Sequence, residues 1–275
     1  MYPITVNDIK KIQVEILSDV HDFCVKHEIT YCLAYGTLIG CIRHKGFIPW
    51  DDDIDIVMPR PDYNIFIKHY KSPRYNLHCL EYDKTYPYLF AKISDKRTRW
   101  DEQVRYKVQQ LGVYIDVFPV EALPAGRINC FLWGKLMLLL YRILEVKNLE
   151  IDKRWHLFKQ LFLQIMHLLL SLFPYKAVLK FMNFLANTIK WESATKVTIY
   201  DELIDGKMNS YNRESFERTT TKEFERFRFC VPIDYDKLLR CYYGEYMSLP
   251  PIEKQISHHK YIAYWKADTS NQVSE

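Results

Sequence analysis

Glycine is scarce in this chain, 8 in 275 residues, and that scarcity excludes collagen-like repeats and glycine-rich linker architectures. The seven cysteines (Cys24, Cys32, Cys41, Cys79, Cys130, Cys230 and Cys241) are widely spaced and include no Cys-x-x-Cys pair. No zinc site or disulfide framework is therefore expected, and they read as reduced, mostly buried thiols of a cytosolic protein. The opening MYPITVNDIKKIQ has no apolar core and no small-residue cleavage site, which reads against a secretory signal. Internal repeats and low-complexity stretches are missing too. A strong net charge is also lacking: a formal +4 is too little to argue nucleic-acid binding.

What is present is an ordinary globular balance, 48% hydrophobic and 26% charged, enough for a real core in one large domain or two small ones. Its charge is unevenly spread. Residues 1–126 balance at −1 and residues 191–275 at −2, while residues 127–190 carry +7. The whole basic excess sits in the most apolar part of the chain. The expected divisions follow: a core over 1–126, an apolar basic helical segment over 127–190, and a C-terminal part over 191–275 that completes the core and site.

Periodicity predicts a first helix over 5–28, where Ile9, Ile12, Ile16, Val20 and Phe23 recur at helical spacing and Thr5 with Asp8 resembles a capping pair. YCLAY (31–35) reads as a short buried strand, followed by a short helix over 37–43. A strand over Ile54–Met58 stops at Pro59 and Pro61, with a helix then running through Tyr70. Leu77–Leu80, Tyr88–Ile93 and Val113–Phe118 read as further strands. This alternation predicts an α/β (α+β) fold, a mixed sheet flanked by helices. The pattern then changes to long helices over 128–148, 154–173 and 175–190. Beyond them FERFRFCVP (224–232) reads as a strand and Asp234–Tyr243 as a short helix.

The sharpest feature is WDDDIDIV (50–57). Side chains alternate along a strand, so Asp53 and Asp55 would share one face while Ile54 and Ile56 take the other, and Asp51 has the same parity. Crowded carboxylates raise one another's pKa, and a divalent cation offsets the cost. Mg²⁺ or Mn²⁺ prefers such oxygens and completes its shell with substrate phosphates. A solvated acidic turn is the plainer alternative, which the alternation with isoleucine weakens. An EF-hand fails because Ile56 replaces the glycine at the sixth position and Asp62 the glutamate at the twelfth.

Upstream, Gly36 and Thr37 close a strand before a helix start, where glycine permits close backbone approach and helix N–H groups attract phosphate. Arg43, His44 and Lys45 add cations between the two elements, with Arg43 the best placed to contact phosphate. Asp116 is a lone acid in the apolar run VYIDVFP (113–119), and a buried carboxylate needs a partner. That partner is either a structural donor, such as an arginine or backbone N–H groups, or the same metal; the clustering of unusual buried acids at functional sites favours the metal.

The run YGTLIGCIRHKGFIPWDDDIDIVMPRPDY (35–63) closely resembles the LicD family, whose members transfer phosphocholine or related phospho-alcohols and whose core is shared with the fukutin-related protein. The resemblance continues through AKISDKRT (91–98), GVYIDVFPVEALP (112–124), VPIDYDKLLRCYYGEYMSLPP (231–251) and HHKYIAYWK (258–266). It implies a nucleotidyltransferase-type fold in which Gly36 and Thr37 form the turn, Asp53 and Asp55 hold Mg²⁺, and Asp116 is the third carboxylate, as ligand, general base or both. It also matches Lys92, His258 and His259 to donor or acceptor contacts, with a solvated surface pair the alternative for the two histidines. Cys41 stands where the family more often has a small residue such as alanine, a change conservative in size. The implied reaction is attack of a hydroxyl of a cell-surface glycan or lipid-linked glycan precursor on the phosphocholine of CDP-choline or a related donor, releasing CMP. Nucleic acid is not an expected partner, since the sheet half has no basic balance for tracking a phosphate backbone.

Two other functions compete. A glycosyltransferase also uses Asp-x-Asp with a metal, but leaves the Gly-Thr turn and Asp116 unexplained. A non-catalytic membrane-associated scaffold leaves the intact acids unexplained.

The stretch WHLFKQLFLQIMHLLLSLF (155–173) is long enough to span a bilayer, yet His156, Lys159, Gln160, Gln164, His167 and Ser171 make a narrow polar stripe. It therefore reads as an amphipathic helix. Residues 128–190 could pack against a core or an oligomer partner, as apolar helix faces most often do. The excess of +7 over residues 127–190 draws the reading toward peripheral contact with anionic lipid, in a cytoplasmic protein at the inner face of the membrane.

Overall fold

The computed structural model describes residues 2–102, 106–149, 156–256 and 261–266. In chain order the elements are β1 (Tyr2–Pro3), α1 (Val6–Lys26), β2 (Cys32–Leu33), α2 (Tyr35–His44), β3 (Asp55–Pro59), α3 (Arg60–His69), β4 (Tyr75–His78), β5 (Ala91–Asp95), β6 (Thr98–Glu102) and β7 (Tyr114–Ala122). Three helices follow, α4 (Arg127–Asn148), α5 (Leu157–Leu169) and α6 (Tyr175–Ala186). The remainder holds β8 (Lys196–Thr198), β9 (Tyr211–Asn212), α7 (Glu214–Glu217), β10 (Thr219–Phe224), β11 (Phe227–Pro232), α8 (Tyr235–Tyr243) and β12 (Tyr261–Trp265). The mixed α/β architecture expected from the sequence is what forms.

The central sheet has the order β2-β3-β7-β5-β4, with β8 and β9 continuing from the far end of β7. β3 and β7 are parallel, and the other pairs are antiparallel. Alternation along the strands divides the core in two. Ile54, Ile56 and Met58, with Ile115 and Val117, face the larger cluster, which includes α1 and α3. Those helices pack on each other through Phe23, edge-on to Phe66 at 5.7 Å and to Tyr70 at 5.2 Å. Val57, Phe118, Val120 and Ala122 face the second cluster, completed by Trp191, Val197, Ile199, Tyr211 and Leu238. Asp55 and Asp116 share the parity of this second set, so the acidic face is the one covered by the C-terminal part.

Local chemistry explains the elements that matter most. Thr5 caps α1, its hydroxyl oxygen accepting from the Asp8 N–H at 3.2 Å while its O–H donates to the Asp8 carboxylate at 2.7 Å. α2 begins two residues earlier than the spacing predicted. The reversal from β2 is made by Tyr35, at φ +46°, so Gly36 and Thr37 lie inside the first turn of the helix and not ahead of it. A left-handed tyrosine is strained by about 1–3 kcal/mol. It is held edge-on to Phe118 at 5.6 Å and to Tyr242 at 6.0 Å.

The expected strand over 224–232 is instead a hairpin, β10 with β11. The aromatic run reads as continuous, but Glu225 takes φ +55°, its N–H donates to the Lys45 carbonyl at 2.7 Å, and the chain turns there. The strand expected over Tyr88–Ile93 begins only at Ala91, and the helix expected over 175–190 ends at Ala186. Of the helix expected over 154–173, residues 154 and 155 lie outside the described residues, and α5 gives way to a 3₁₀ turn at Leu170–Leu172.

Candidate active site

Strand register builds the centre. Asp55 on β3 pairs with Asp116 on β7, and Asp116 pairs with Lys92 on β5. Three charged residues thus lie in one row across three adjacent strands. The row is fixed by backbone bonds around it. The Asp116 N–H donates to the Ile54 carbonyl at 2.9 Å, the Ala34 N–H to the Asp55 carbonyl at 3.0 Å, and the Asp55 N–H to the Thr37 hydroxyl oxygen at 2.9 Å. Thr37 therefore sets the start of β3. Gln13 of α1 reaches under the acidic loop and donates its amide to the carbonyls of Asp52 at 3.0 Å and Tyr114 at 3.1 Å. At Gly36 a Cβ would collide with the Asp51 carboxylate.

Asp53 precedes β3, so it arrives from the loop, while Asp55 is the first strand residue. Both open with Asp116 into one cleft of about 510 Å³. The cleft is also lined by Asp201 and Glu202, by the rings of Tyr35, Phe90, Phe118, Tyr211, Tyr242 and Tyr243, and by Asn209 and Cys241. Burial pushes the Asp55 carboxyl well above the usual carboxylate range, and Asp53, Asp116, Asp51 and Asp201 add to the shift. Lys92, itself buried, supplies counter-charge from below. Its ammonium donates to Asp116 Oδ1 at 2.7 Å and lies 3.7 Å from the centre of the Tyr114 ring.

The second half of the cleft is organised around Glu202. Its carboxylate accepts from the hydroxyls of Tyr211 at 2.8 Å and Tyr35 at 3.3 Å, from the Asn209 amide at 2.9 Å, and from the Tyr242 hydroxyl. Burial raises the Glu202 carboxyl, while these four donors pull the other way. Burial first, with the charge of Glu202 next, holds the Tyr35 and Tyr242 phenols far above their ordinary value. The tyrosines are thus neutral donors that fix their rings in place, Tyr211 stacked on Tyr242 at 5.0 Å.

The structure distributes the other predicted residues unevenly. Lys92 serves Asp116 and is not among the residues lining the cleft. Arg43, at the far end of α2, donates to the Ser248 carbonyl at 3.3 Å and to that of Tyr246, so it ties α2 to the segment after α8 and stands away from the cleft. His258 and His259 lie outside the described residues. Among the described residues, no three His, Cys, Asp or Glu side chains converge closely enough to hold a metal unaided.

Sequence reasoning missed Asp201, Glu202, Asn209, Tyr211, Tyr242 and Tyr243. A signal existed for the acidic pair: IYDELID (199–205) sets acids between apolar residues, as around Asp116. The tyrosines had none, because tyrosine is common throughout this chain.

Residues 28–131, which contain Gly36, Thr37, Asp53, Asp55, Lys92 and Asp116, match the family model described as LicD/FKTN/FKRP, nucleotidyltransferase domain. The chain is 34% identical over 283 residues to the lipopolysaccharide cholinephosphotransferase LicD of Haemophilus influenzae, an alignment covering 96% of this chain and 99% of that protein. A shorter stretch of 48 residues is 42% identical to protein RP689 of Rickettsia prowazekii, covering 18% of each chain. A stretch of the same length is 42% identical to protein RT0683 of Rickettsia typhi, covering 18% of this chain and 16% of that one.

Proposed function

The chain belongs to the LicD family of transferases, and from that premise we propose that it moves phosphocholine from a nucleotide-diphosphate donor, CDP-choline, to a sugar hydroxyl of a lipopolysaccharide or a lipid-linked glycan precursor. The observation that carries this reading is the composition of the cleft, five carboxylates together with six aromatic rings. A trimethylammonium group is a cation without hydrogen-bond donors. Aromatic faces attract it through their quadrupoles, and nearby carboxylates add long-range attraction. Uncharged alcohol groups such as glycerol or ribitol gain nothing from that composition.

The donor's diphosphate is anionic and would be repelled by the same carboxylates, so a counter-ion belongs to the reading. Hard carboxylate oxygens suit Mg²⁺ (or Mn²⁺), which takes one or two protein carboxylates and fills its shell with phosphate and water. That habit fits a cleft where no three side chains hold a metal unaided. Asp53 and Asp55 would hold the ion, with Asp116 as the third carboxylate. When bound, it neutralises the diphosphate and orients it for in-line displacement.

The remaining work falls to the chain. Glu202 fixes three tyrosine rings, Lys92 orients Asp116, and Thr37 positions Asp55. The sugar oxygen bonds to the phosphorus of phosphocholine, the bond to the CMP oxygen breaks, and the hydroxyl proton passes to a cleft carboxylate.

A donor panel tests this: CDP-choline, CDP-ethanolamine, CDP-glycerol, CDP-ribitol and UDP-sugars, each with Mg²⁺ or EDTA, scored by nucleotide released. CMP release from CDP-choline with Mg²⁺, at a KM that Tyr242→Ala raises more for CDP-choline than for CDP-glycerol, is the expected result. UDP release from a UDP-sugar would instead establish a glycosyltransferase.

A further inference from the structure

An ordinary amphipathic helix turns its apolar arc toward the protein, and α5 does the reverse. Leu157, Phe158, Leu161, Phe162, Ile165, Leu168 and Leu169 form a single arc at helical spacing, and all are exposed, Phe158 at 75%. The inward side carries Leu163, the one buried residue of α5. It also carries His167, whose Nε2 lies 2.7 Å from the Val146 carbonyl of α4. Lys147 of α4 donates to the Leu170 carbonyl, just past the end of α5, at 2.9 Å. α4 repeats the pattern: Ile128, Phe131, Leu132, Leu136 and Leu139 recur every three or four residues and are all exposed, while Gly134, Met137 and Leu144 are buried. An exposed apolar area of this extent marks an interaction surface.

The charge around it names the occupant. Residues 127–190 carry +7. Beside the apolar face of α4 a cavity of about 670 Å³ is lined by Phe131 and Leu138 together with Arg127, Lys135, Lys196 and Lys207, and by no acidic residue among the described ones. A second copy of the chain would bring the same positive face against this one, as a two-fold interface requires. An anionic lipid surface offers both apolar depth and opposite charge.

We propose that α4 and α5 seat the protein on the surface of an anionic lipid bilayer, apolar arcs down, with the cations around Arg127 and Lys135 at headgroup level. No single described helix is long and apolar enough to cross a membrane. α5 with its 3₁₀ turn passes that test only together with α6, across a bend of 64°, and α6 buries Val178, Leu179, Met182 and Ala186 in the body of the protein. The seat therefore lies in the plane of the interface. This inference does not depend on the transferred group, and its readouts need no activity.

The test is co-sedimentation of the full chain with vesicles of phosphatidylcholine alone or with added phosphatidylglycerol, at low and high salt. Binding to the phosphatidylglycerol vesicles at low salt, weakened by salt, is expected. Phe158→Glu with Leu161→Glu should lower partitioning by at least about tenfold without changing helicity or Tm, because both side chains are already exposed. Lys135→Glu with Lys207→Glu should lower it by roughly tenfold on anionic vesicles only. Absence of binding to phosphatidylglycerol vesicles at low salt would overturn the proposal. So would a lipid-free dimer that the Phe158→Glu, Leu161→Glu protein loses, because the apolar face would then belong to a second copy.

Discussion

Strand β7 carries two carboxylates that the fold treats in opposite ways. Glu121 is 1% exposed and meets Arg60 of α3 in a two-pronged ion pair, its Oε2 accepting from Arg60 Nε at 2.8 Å and its Oε1 from the terminal guanidinium nitrogen. Asp116 opens into a cleft shared with Asp53, Asp55, Asp201 and Glu202, and it accepts from the Lys92 ammonium at 2.7 Å. The two residues differ by an odd number of positions, so strand alternation puts them on opposite faces. One face closes over α3, where a buried carboxylate must be neutralised on the spot. The other opens to the C-terminal part, where Asp53, Asp55, Asp116, Asp201 and Glu202 line one cleft. The contrast sets an acid closed in a tight ion pair beside one that faces a cleft a ligand can enter.

The largest effect should come from breaking the balanced side. Glu121→Ala leaves Arg60 buried without its partner and should cost about 3–5 kcal/mol in urea unfolding. The pair Arg60→Met with Glu121→Leu should recover most of that loss, and a recovery of nothing would contradict the view that the pair serves packing alone. On the other side, Asp55→Asn should lower turnover by roughly 10²–10³-fold, about 3–4 kcal/mol of barrier. The same variant should leave the Tm of the metal-free protein unchanged or higher, because it removes one of the crowded charges. Simultaneous loss of turnover and stability would make Asp55 a structural acid like Glu121.

His78 separates burial from charge crowding. It sits on β4 with Nε2 2.8 Å from Ser94 Oγ, and burial, joined by Lys92 and Lys266, lowers its pKa from 6.5 to about 4. The folded form therefore binds this proton less readily than the unfolded chain. Its contribution is complete above pH 6.5 and declines as pH falls toward 4. Chemical unfolding followed from pH 7 to pH 5 should lose about 2 kcal/mol, and His78→Gln should flatten that slope. The smallest effect belongs to Thr37→Val, which leaves the Asp55 N–H without its acceptor and should cost about 1–2 kcal/mol. Thr37→Ser should restore both stability and turnover.

Much of this was legible beforehand for reasons that are local. Period-two alternation in DIDIV singled out Asp55, and an acid in an apolar strand singled out Asp116. The start of β3 limited the same argument for Asp53, which enters the cleft from a loop. Arg43 illustrates the opposite limit: its charge was visible, but the backbone carbonyls that claim it come from residues far along the chain.

The sequence by itself determined the mixed α/β class, the acidic strand, the family resemblance and a basic, apolar helical segment, because each rests on neighbours in the chain or on recurring spacing. Tertiary structure alone decided three things. Register set Asp55, Asp116 and Lys92 in one row, since pairing between strands is a long-range choice. Closure of the C-terminal part brought Glu202 and its tyrosines over that row, through contacts that no local period encodes. The direction in which α5 faces also belongs to the fold: periodicity reveals that a helix has an apolar arc, but only its packing against α4 shows that the arc looks outward.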